Sequence, residues 1–155
     1  MKTKHFDYIV EVLFYYLNMN ETPILASMGV FAVIFNEKQQ VLLCHRRDKD
    51  LWNLPGGGVD IEELPDNAIL REIEEEITCK SQIISLIGIY NKVKQNELVY
   101  CYLVKLIAGT PAITNEADII KYFDIAKLPE NTAPNQVQRI IDAANYTGMP
   151  YFRKQ

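Results

Sequence analysis

Three glutamates, Glu72, Glu75 and Glu76, stand at i, i+3 and i+4 in a stretch whose aliphatic spacing is helical, so they project from one side of a helix. Like charges at that spacing repel one another unless a cation neutralises them. Between Asp60 and Glu76 lie eight acids and one base, Arg71. That segment carries −7 against −4 for the whole chain, which leaves the remainder mildly basic. An acidic centre in a basic surround suits a cation site that still admits an anionic ligand. Just upstream, Gly56, Gly57 and Gly58 run consecutively, which adds backbone carbonyls and room beside the acidic face. Hard divalent ions such as Mg²⁺ take oxygen ligands and keep waters for substrate phosphates. Arg71 can hold a carboxylate by a forked hydrogen bond. Together these residues point to a metal site for a polyphosphate. The bland alternative, a solvated acidic helix face, suits Glu62, Glu74 and Asp66.

The rest of the chain predicts where that site sits. Pro65 suits the first turn of a helix, with Asp66 at its positive end, and Ile69, Ile73 and Ile77 carry the spacing to about Ile77. Two β-rich stretches, 28–35 and 40–45, precede the glycines, with Asn36 to Gln39 between them as a hairpin turn. Residues 81–93 and 97–106 read as strands joined by Lys94, Gln95 and Asn96, and 119–125 as a shorter strand. Pro134 opens a last helix whose Val137, Ile140, Ile141 and Ala144 share a face. Near the start, residues 5–18 read as a helix with Phe6, Ile9, Val10, Leu13 and Leu17 on one stripe. Val12, Phe14, Tyr15 and Tyr16 widen it until it is apolar nearly all round. Such a helix must be covered on most sides, by its own core or by a second copy, and we expect a homodimer held partly by it. The order helix, strands, helix, strands, helix predicts an α/β fold of packed layers around one core. Its 155 residues suit one domain spanning 1–155, with residues 1–22 as an N-terminal helical extension.

Composition excludes several other classes. The three cysteines, Cys44, Cys79 and Cys101, include no CxxC pair, and His5 and His45 lie near none of them at finger-like spacing, so neither zinc nor a disulfide framework is expected. Each cysteine sits among apolar residues, as a buried, reduced thiol does. Lys2 and Lys4 open the chain as in a signal peptide, but Asp7 and Glu11 interrupt the stretch that follows. No apolar run nears the roughly 20 residues of a membrane span. The expectation is a cytoplasmic protein with no membrane partner. Net negative charge without a basic extension argues against binding a nucleic acid polymer.

From Gly57 the spacing is Gly57, five residues, Glu63, seven residues, then Arg71-Glu72-Ile73-Glu74-Glu75-Glu76-Ile77-Thr78-Cys79. This resembles the Nudix hydrolase (MutT-like) family, whose box is G-x5-E-x7-R-E-U-x-E-E-x-G-U with U aliphatic. Gly57, Glu63, Arg71, Glu72, Ile73, Glu75 and Glu76 match. At ordinary residue frequencies the chance of that match is on the order of 10⁻⁶. A strand ending in Arg46 and the run Trp52-x-Leu-Pro-Gly-Gly resemble the family's lead into the box, and the strand order extends the likeness to about residues 27–145. The family's late glycine is Thr78 here, and threonine resists a left-handed helix end. The glycine often seen before the first glutamate is Glu62, and Leu64 replaces the usual Ser or Thr cap. None of these departures removes a carboxylate.

The resemblance implies a Nudix-type α/β/α sandwich with a mixed β-sheet. It also implies hydrolysis of a nucleoside diphosphate linked to another moiety, by water attack on phosphorus. Metal clamping and alignment would supply most of the catalysis. Glu72, Glu75 and Glu76 would hold Mg²⁺ or Mn²⁺ with the Gly56 carbonyl. Glu72, Glu76 and Glu116 are the candidates for the base that deprotonates water, the last as an acid in a loop before a strand. Gly57, Glu63 and Arg71 would brace the loop–helix unit. Arg46 and Arg47 follow a strand and lie next in sequence to the glycine loop, where either can meet a phosphate. Trp52, Tyr90 and Tyr102 are candidate partners for a base, or core aromatics. Lack of proline between Cys79 and Pro111 disfavours the ADP-ribose subgroup, and the coenzyme A subgroup's extra motif is absent. An oxidised nucleoside triphosphate or a nucleotide such as CDP-choline stays open. The rival class is a catalytically silent Nudix-like domain that binds a nucleotide as sensor or regulator; lost carboxylates would favour it, and none is lost.

Overall fold

Apolar residues alternate along the strands so that successive side chains enter two different cores. On β1 (Ser27–Val33) Val30 and Ala32 join one cluster and Val33 the other. On β2 (Val41–Arg46) Leu42 and Cys44 join the first, Val41 and Leu43 the second. A strand buried on both faces needs a layer on each side. Two helices supply them: α1 (Pro65–Ile77) packs Ala68, Ile69, Ile73 and Ile77 into the first cluster, and α2 (Pro134–Ala144) packs Ile140 and Ala143 into the second. The result is the expected α/β/α sandwich. The computed structural model describes residues 26–115 and 117–155. The expected helix at 5–18, the extension at 1–22 and the dimer contact drawn from them lie outside the described residues.

The strands form two sheets. The larger has the order β4 (Gly56–Gly58), β1, β6 (Glu97–Ala108), β5 (Lys80–Lys92), β8 (Tyr151–Lys154); the smaller is β3 (Trp52–Asn53), β2, β7 (Ala117–Phe123). Pairing is parallel for β1 with β6 and for β5 with β8, and antiparallel elsewhere. The 36–39 turn forms as expected, with Asn36 Oδ1 accepting the N–H groups of Lys38 and Gln40. The hairpin beyond it does not. Phe35 and Val41 form one bridge, and then β1 and β2 part into different sheets. β1 pairs instead along the longer β6, and β2 pairs along β7.

Expected helix starts hold where a proline sets them. Helix α1 starts at Pro65 with Leu64 as a cap that makes no side-chain hydrogen bond. Helix α2 departs from the expected face: its buried residues are Gln136, Arg139, Ile140, Asp142 and Ala143, while Ile141 is exposed. Arg139 is tolerated there because its guanidinium lies between the Phe31 and Tyr90 rings and donates to Gln136 and Gln155. All three cysteines are buried free thiols, and burial pushes Cys101 up to about 12. Among the described residues no helix is long and apolar enough to cross a membrane.

Thr78 ends α1 at φ 59° and ψ 27°, in the left-handed region, with its N–H on the Glu74 carbonyl. Glu62 also sits there, at φ 67°. Both positions keep the backbone that a glycine would favour while carrying a side chain that resists it. Thr78→Gly is therefore expected to stabilise the protein by about 1 kcal/mol and raise its Tm by roughly 2–4 °C. A lower Tm in thermal melts would contradict that strain.

Candidate active site

The three glycines form an edge strand, not a loose loop. Strand β4 pairs with β1 in the register Gly29 with Gly58, Val30 with Gly57 and Phe31 with Gly56. Gly56 has φ +142°, and a Cβ on it would lie 2.0 Å from the Val30 carbonyl oxygen. A Cβ on Gly57 would lie 2.7 Å from the Glu72 carboxylate. The glycines thus let β4 fit between β1 and the acidic face of α1, which leaves Glu72 only 8% exposed.

Arg71 binds this unit together. Its Nε and Nη2 donate to both oxygens of Glu63, at 3.0 and 2.8 Å, and Nη2 also reaches the Gly58 carbonyl at 3.1 Å. Its Nη1 donates to Glu72 Oε1 at 2.9 Å and Glu75 Oε2 at 3.0 Å. Glu63 Oε2 accepts the Asp60 N–H as well. The forked bond from Arg71 draws the Glu63 carboxyl below the usual carboxylate range, and the same bond raises Arg71. Glu76 Oε2 accepts the Gly56 N–H at 2.8 Å.

The acidic face of α1 and the three glycines line a cleft of about 680 Å³, within the range of a small-molecule site. Glu72, Glu75, Glu76, Arg46, Arg47 and Gly56 all meet there, from α1, from β2 and the turn after it, and from β4. Arg46 grips Asp48 through Nε and Nη2 at 2.7 and 2.8 Å, which pulls the Asp48 carboxyl down. Arg47 donates to the Thr114 carbonyl at 3.0 Å. Among the described residues no three His, Cys, Asp or Glu side chains already close into a ligand cluster; Arg71 holds Glu72 and Glu75 at separate oxygens. The donor set nonetheless fits a hard divalent cation, being carboxylate oxygens on one cleft wall beside a glycine backbone.

The aromatic expectations need correction. Tyr90 is fully buried, with its hydroxyl on Asp142 at 2.9 Å, in the core beneath α2 and away from the cleft. Tyr102 is buried against α1. Trp52 stands behind the cleft wall, edge-on to His45 at 5.1 Å and to Phe123 at 4.8 Å. Glu116 lies outside the described residues; Asn115 and Ala117, its sequence neighbours, line the cleft.

Phe31, His45, Asn53 and Glu97 also line the cleft and carry no sequence signal for it. His45 is pinned on both ring nitrogens, Nδ1 to Asp118 at 2.7 Å and Nε2 to Asp50 at 3.0 Å. Asp50 further accepts the Asn131 amide at 2.7 Å. The clamp ties β2 to β7 and to the 46–50 turn that carries the two arginines. Hydrogen bonds to Asp50 and then Asp118 raise His45 above its ordinary 6.5, and His45 in turn lowers Asp118. The clamp's stabilisation is thus complete below about 6.5 and fades as pH rises through the raised value. With only two histidines in the chain, a proton NMR titration is expected to show the His45 ring titrating above 6.5, with resonances of residues 46–50 moving alongside. Titration at or below 6.5 would contradict the clamp.

A model of the NUDIX domain matches residues 26–143. A putative 8-oxo-dGTP diphosphatase of Bacillus subtilis (strain 168) is 33% identical over 120 residues, which cover 77% of this chain and 80% of that protein. A MutT-like protein of Streptomyces ambofaciens is 26% identical over 132 residues, 85% of each chain. In fold, the chain resembles the crystal structure of an ADP-ribose pyrophosphatase from Streptococcus suis 89-1591, with a TM-score of 0.69 and 22% identity over 84% of this chain and 99% of that one.

Proposed function

The chain belongs to the Nudix family and is a MutT-like pyrophosphohydrolase, and from that premise we propose that its substrate is a nucleotide or nucleoside diphosphate derivative bound in the cleft beside Glu72, Glu75 and Glu76. The observation that carries this reading is the meeting of three helix-borne carboxylates and two arginines in one cleft beside a glycine strand. Carboxylates alone would repel a polyphosphate, and arginines alone would bind it without chemistry.

In this reading Glu72, Glu75 and Glu76, with the Gly56 carbonyl, would hold Mg²⁺ or Mn²⁺. A divalent ion held there would supply charge neutralisation of the phosphates and would lower the pKa of water. Arg46 and Arg47 orient the phosphate chain by charge-assisted hydrogen bonds. Arg71 and Glu63 keep α1 and β4 in register and touch no substrate. One of Glu72, Glu76 and Glu116 takes the proton from water as its oxygen forms a bond to phosphorus. The bridging P–O bond breaks, and the leaving phosphate or nucleotide carries away the electron pair. The name of the Bacillus subtilis relative favours a nucleoside triphosphate among the substrates. A homodimer held partly by residues 5–18 and a place in the cytoplasm belong to the same proposal.

The test is a panel of nucleoside triphosphates and nucleoside diphosphate derivatives, with phosphate and pyrophosphate read out at saturating Mg²⁺ or Mn²⁺. Turnover of at least one compound is expected. Binding without turnover across the whole panel would favour a silent nucleotide sensor instead.

A further inference from the structure

The face of the larger sheet that carries α1 is only partly covered. Over β1, β6, β5 and β8 its cross-strand rows run Val30, Tyr100, Ile89, Phe152 and then Met28, Leu98, Asn91, Lys154. Residues paired directly across strands share a face, and Val30 and Tyr100 belong to the core under α1. The first row is apolar from end to end, but its cover gives out toward β8. Val30 is fully buried, Tyr100 and Ile89 are half-buried, and Phe152 is 77% exposed. In the second row Leu98 is half-buried and Met28 is exposed. The apolar corner continues onto the lead into α1. The Val59 N–H donates to the Met28 carbonyl at 2.9 Å, and beyond it Ile61 is 96% and Leu64 62% exposed. Apolar surface gathered in this way marks an interaction site.

The chain itself enters the fold at this corner. Ser27 opens β1, pairs with Glu97 and precedes Met28. The residues before Ala26 lie outside the described residues. They include the stretch 5–18, whose spacing is helical, with Phe6, Ile9, Val10, Leu13 and Leu17 on one stripe. A helix of that length measures about 21 Å, and the three strand spacings from β1 to β8 measure about 14 Å. The link 19–26 reaches at most about 28 Å, so the stretch can lie on this face without leaving its own chain. A tethered segment also outcompetes a free partner through its high effective concentration. The open edge of β8 is the poorer site, because Arg153 and Lys154 place charge there, which opposes pairing with a further strand.

We propose that residues 5–18 lie as a helix across this corner of their own chain's sheet, beside α1, with Ile9, Leu13 and Leu17 against Leu98, Ile89 and Phe152. The layer over the larger sheet then holds two helices, and the apolar corner leaves water. The outer side of the helix keeps Val12, Tyr15 and Tyr16, which the homodimer proposed above would use. The docking needs neither that dimer nor the nucleotide-hydrolase reading.

The experiment is methyl-detected NOE spectroscopy on the full chain, with the Ile, Leu, Val and Met methyl groups labelled. NOEs from Ile9, Val10 and Leu13 to Met28, Ile89 and Leu98 are expected. In a sample refolded from equal parts of labelled and unlabelled chain, an isotope-filtered spectrum should lack them, since both sides of each contact belong to one molecule. The same contacts seen between chains would seat a second copy's segment on the face and overturn the proposal. So would their absence from the fully labelled sample. Thermal melts give a second readout. Phe152→Asp and Leu13→Asp should each lower Tm by at least about 5 °C. The double variant should lose little more than the larger single loss, as groups in contact do. A Phe152 with nothing over it would accept aspartate with Tm within about 2 °C of wild type, and that result, or fully additive losses, would overturn the proposal.

Discussion

Glu76→Gln is expected to lower kcat at least about 10²-fold at saturating divalent cation, and Glu75→Gln to do the same. Glutamine keeps the shape of the side chain, so the Gly56 N–H, now 2.8 Å from Glu76 Oε2, still finds an acceptor. What is lost is a full negative charge where, in the proposed site, a divalent ion would sit beside a polyphosphate. Each factor of ten in rate corresponds to about 1.4 kcal/mol, and charged ligation at a metal site supplies several kcal/mol to such a transition state. Stability should change little. The acids crowd one helix face and repel each other, and Arg71 keeps Glu63 and Glu72 when Glu75 becomes neutral. Steady-state kinetics and thermal melts on the same preparations check both halves. Wild-type turnover in both variants would show that these carboxylates are not the ligands.

The second large effect is expected at Gly57. A Cβ there would stand 2.7 Å from the carboxyl carbon and both oxygens of Glu72, so in Gly57→Ala the carboxylate must move. The group that yields is the end of a flexible side chain, and the strand itself need not shift. Misplacing a catalytic group by about 1 Å can cost about 10²-fold in rate, and a loss of that size is expected with Tm within about 3 °C of wild type. Gly56→Ala makes the contrast. Its Cβ would lie 2.0 Å from the Val30 carbonyl oxygen, at φ +142°, so strand pairing must yield and the fold itself should weaken. Full activity in Gly57→Ala would contradict the packing of β4 against Glu72.

The sequence carried the site's acidic half because one helix carries it. Glu72, Glu75 and Glu76 need only a helical spacing to share a face, Arg71 precedes them on the same helix, and Glu63 lies two residues before that helix starts. The helix bounds were legible for the same local reason, from Pro65 and Pro134. The other half of the cleft comes from strands that meet only in the tertiary fold. His45 finds Asp118 73 residues away, and Asn53 and Glu97 reach the cleft from different sheets. No spacing rule joins such residues. Tyr90 misled because a strand aromatic suits a base stack as well as a core; the deciding partner, Asp142, lies 52 residues on. The face of α2 was misread because Arg139 and Asp142 count as polar in a periodicity, although Phe31, Tyr90 and Arg153 make their burial tolerable. Thr78 shows the reverse case, a residue that disfavours a backbone which the surrounding packing nevertheless imposes.

The most direct measurement is hydrolysis followed by ³¹P NMR on the full chain, across nucleoside triphosphates and nucleoside diphosphate derivatives. Excess Mg²⁺ is added first, then EDTA, then Mg²⁺ again. Cleavage of a phosphoric anhydride bond is expected to stop on chelation, to resume on re-addition, and to be at least about 10²-fold slower in Glu76→Gln. Anhydride cleavage that continues unchanged in EDTA, or that Glu76→Gln performs at the wild-type rate, would contradict the proposed metal site.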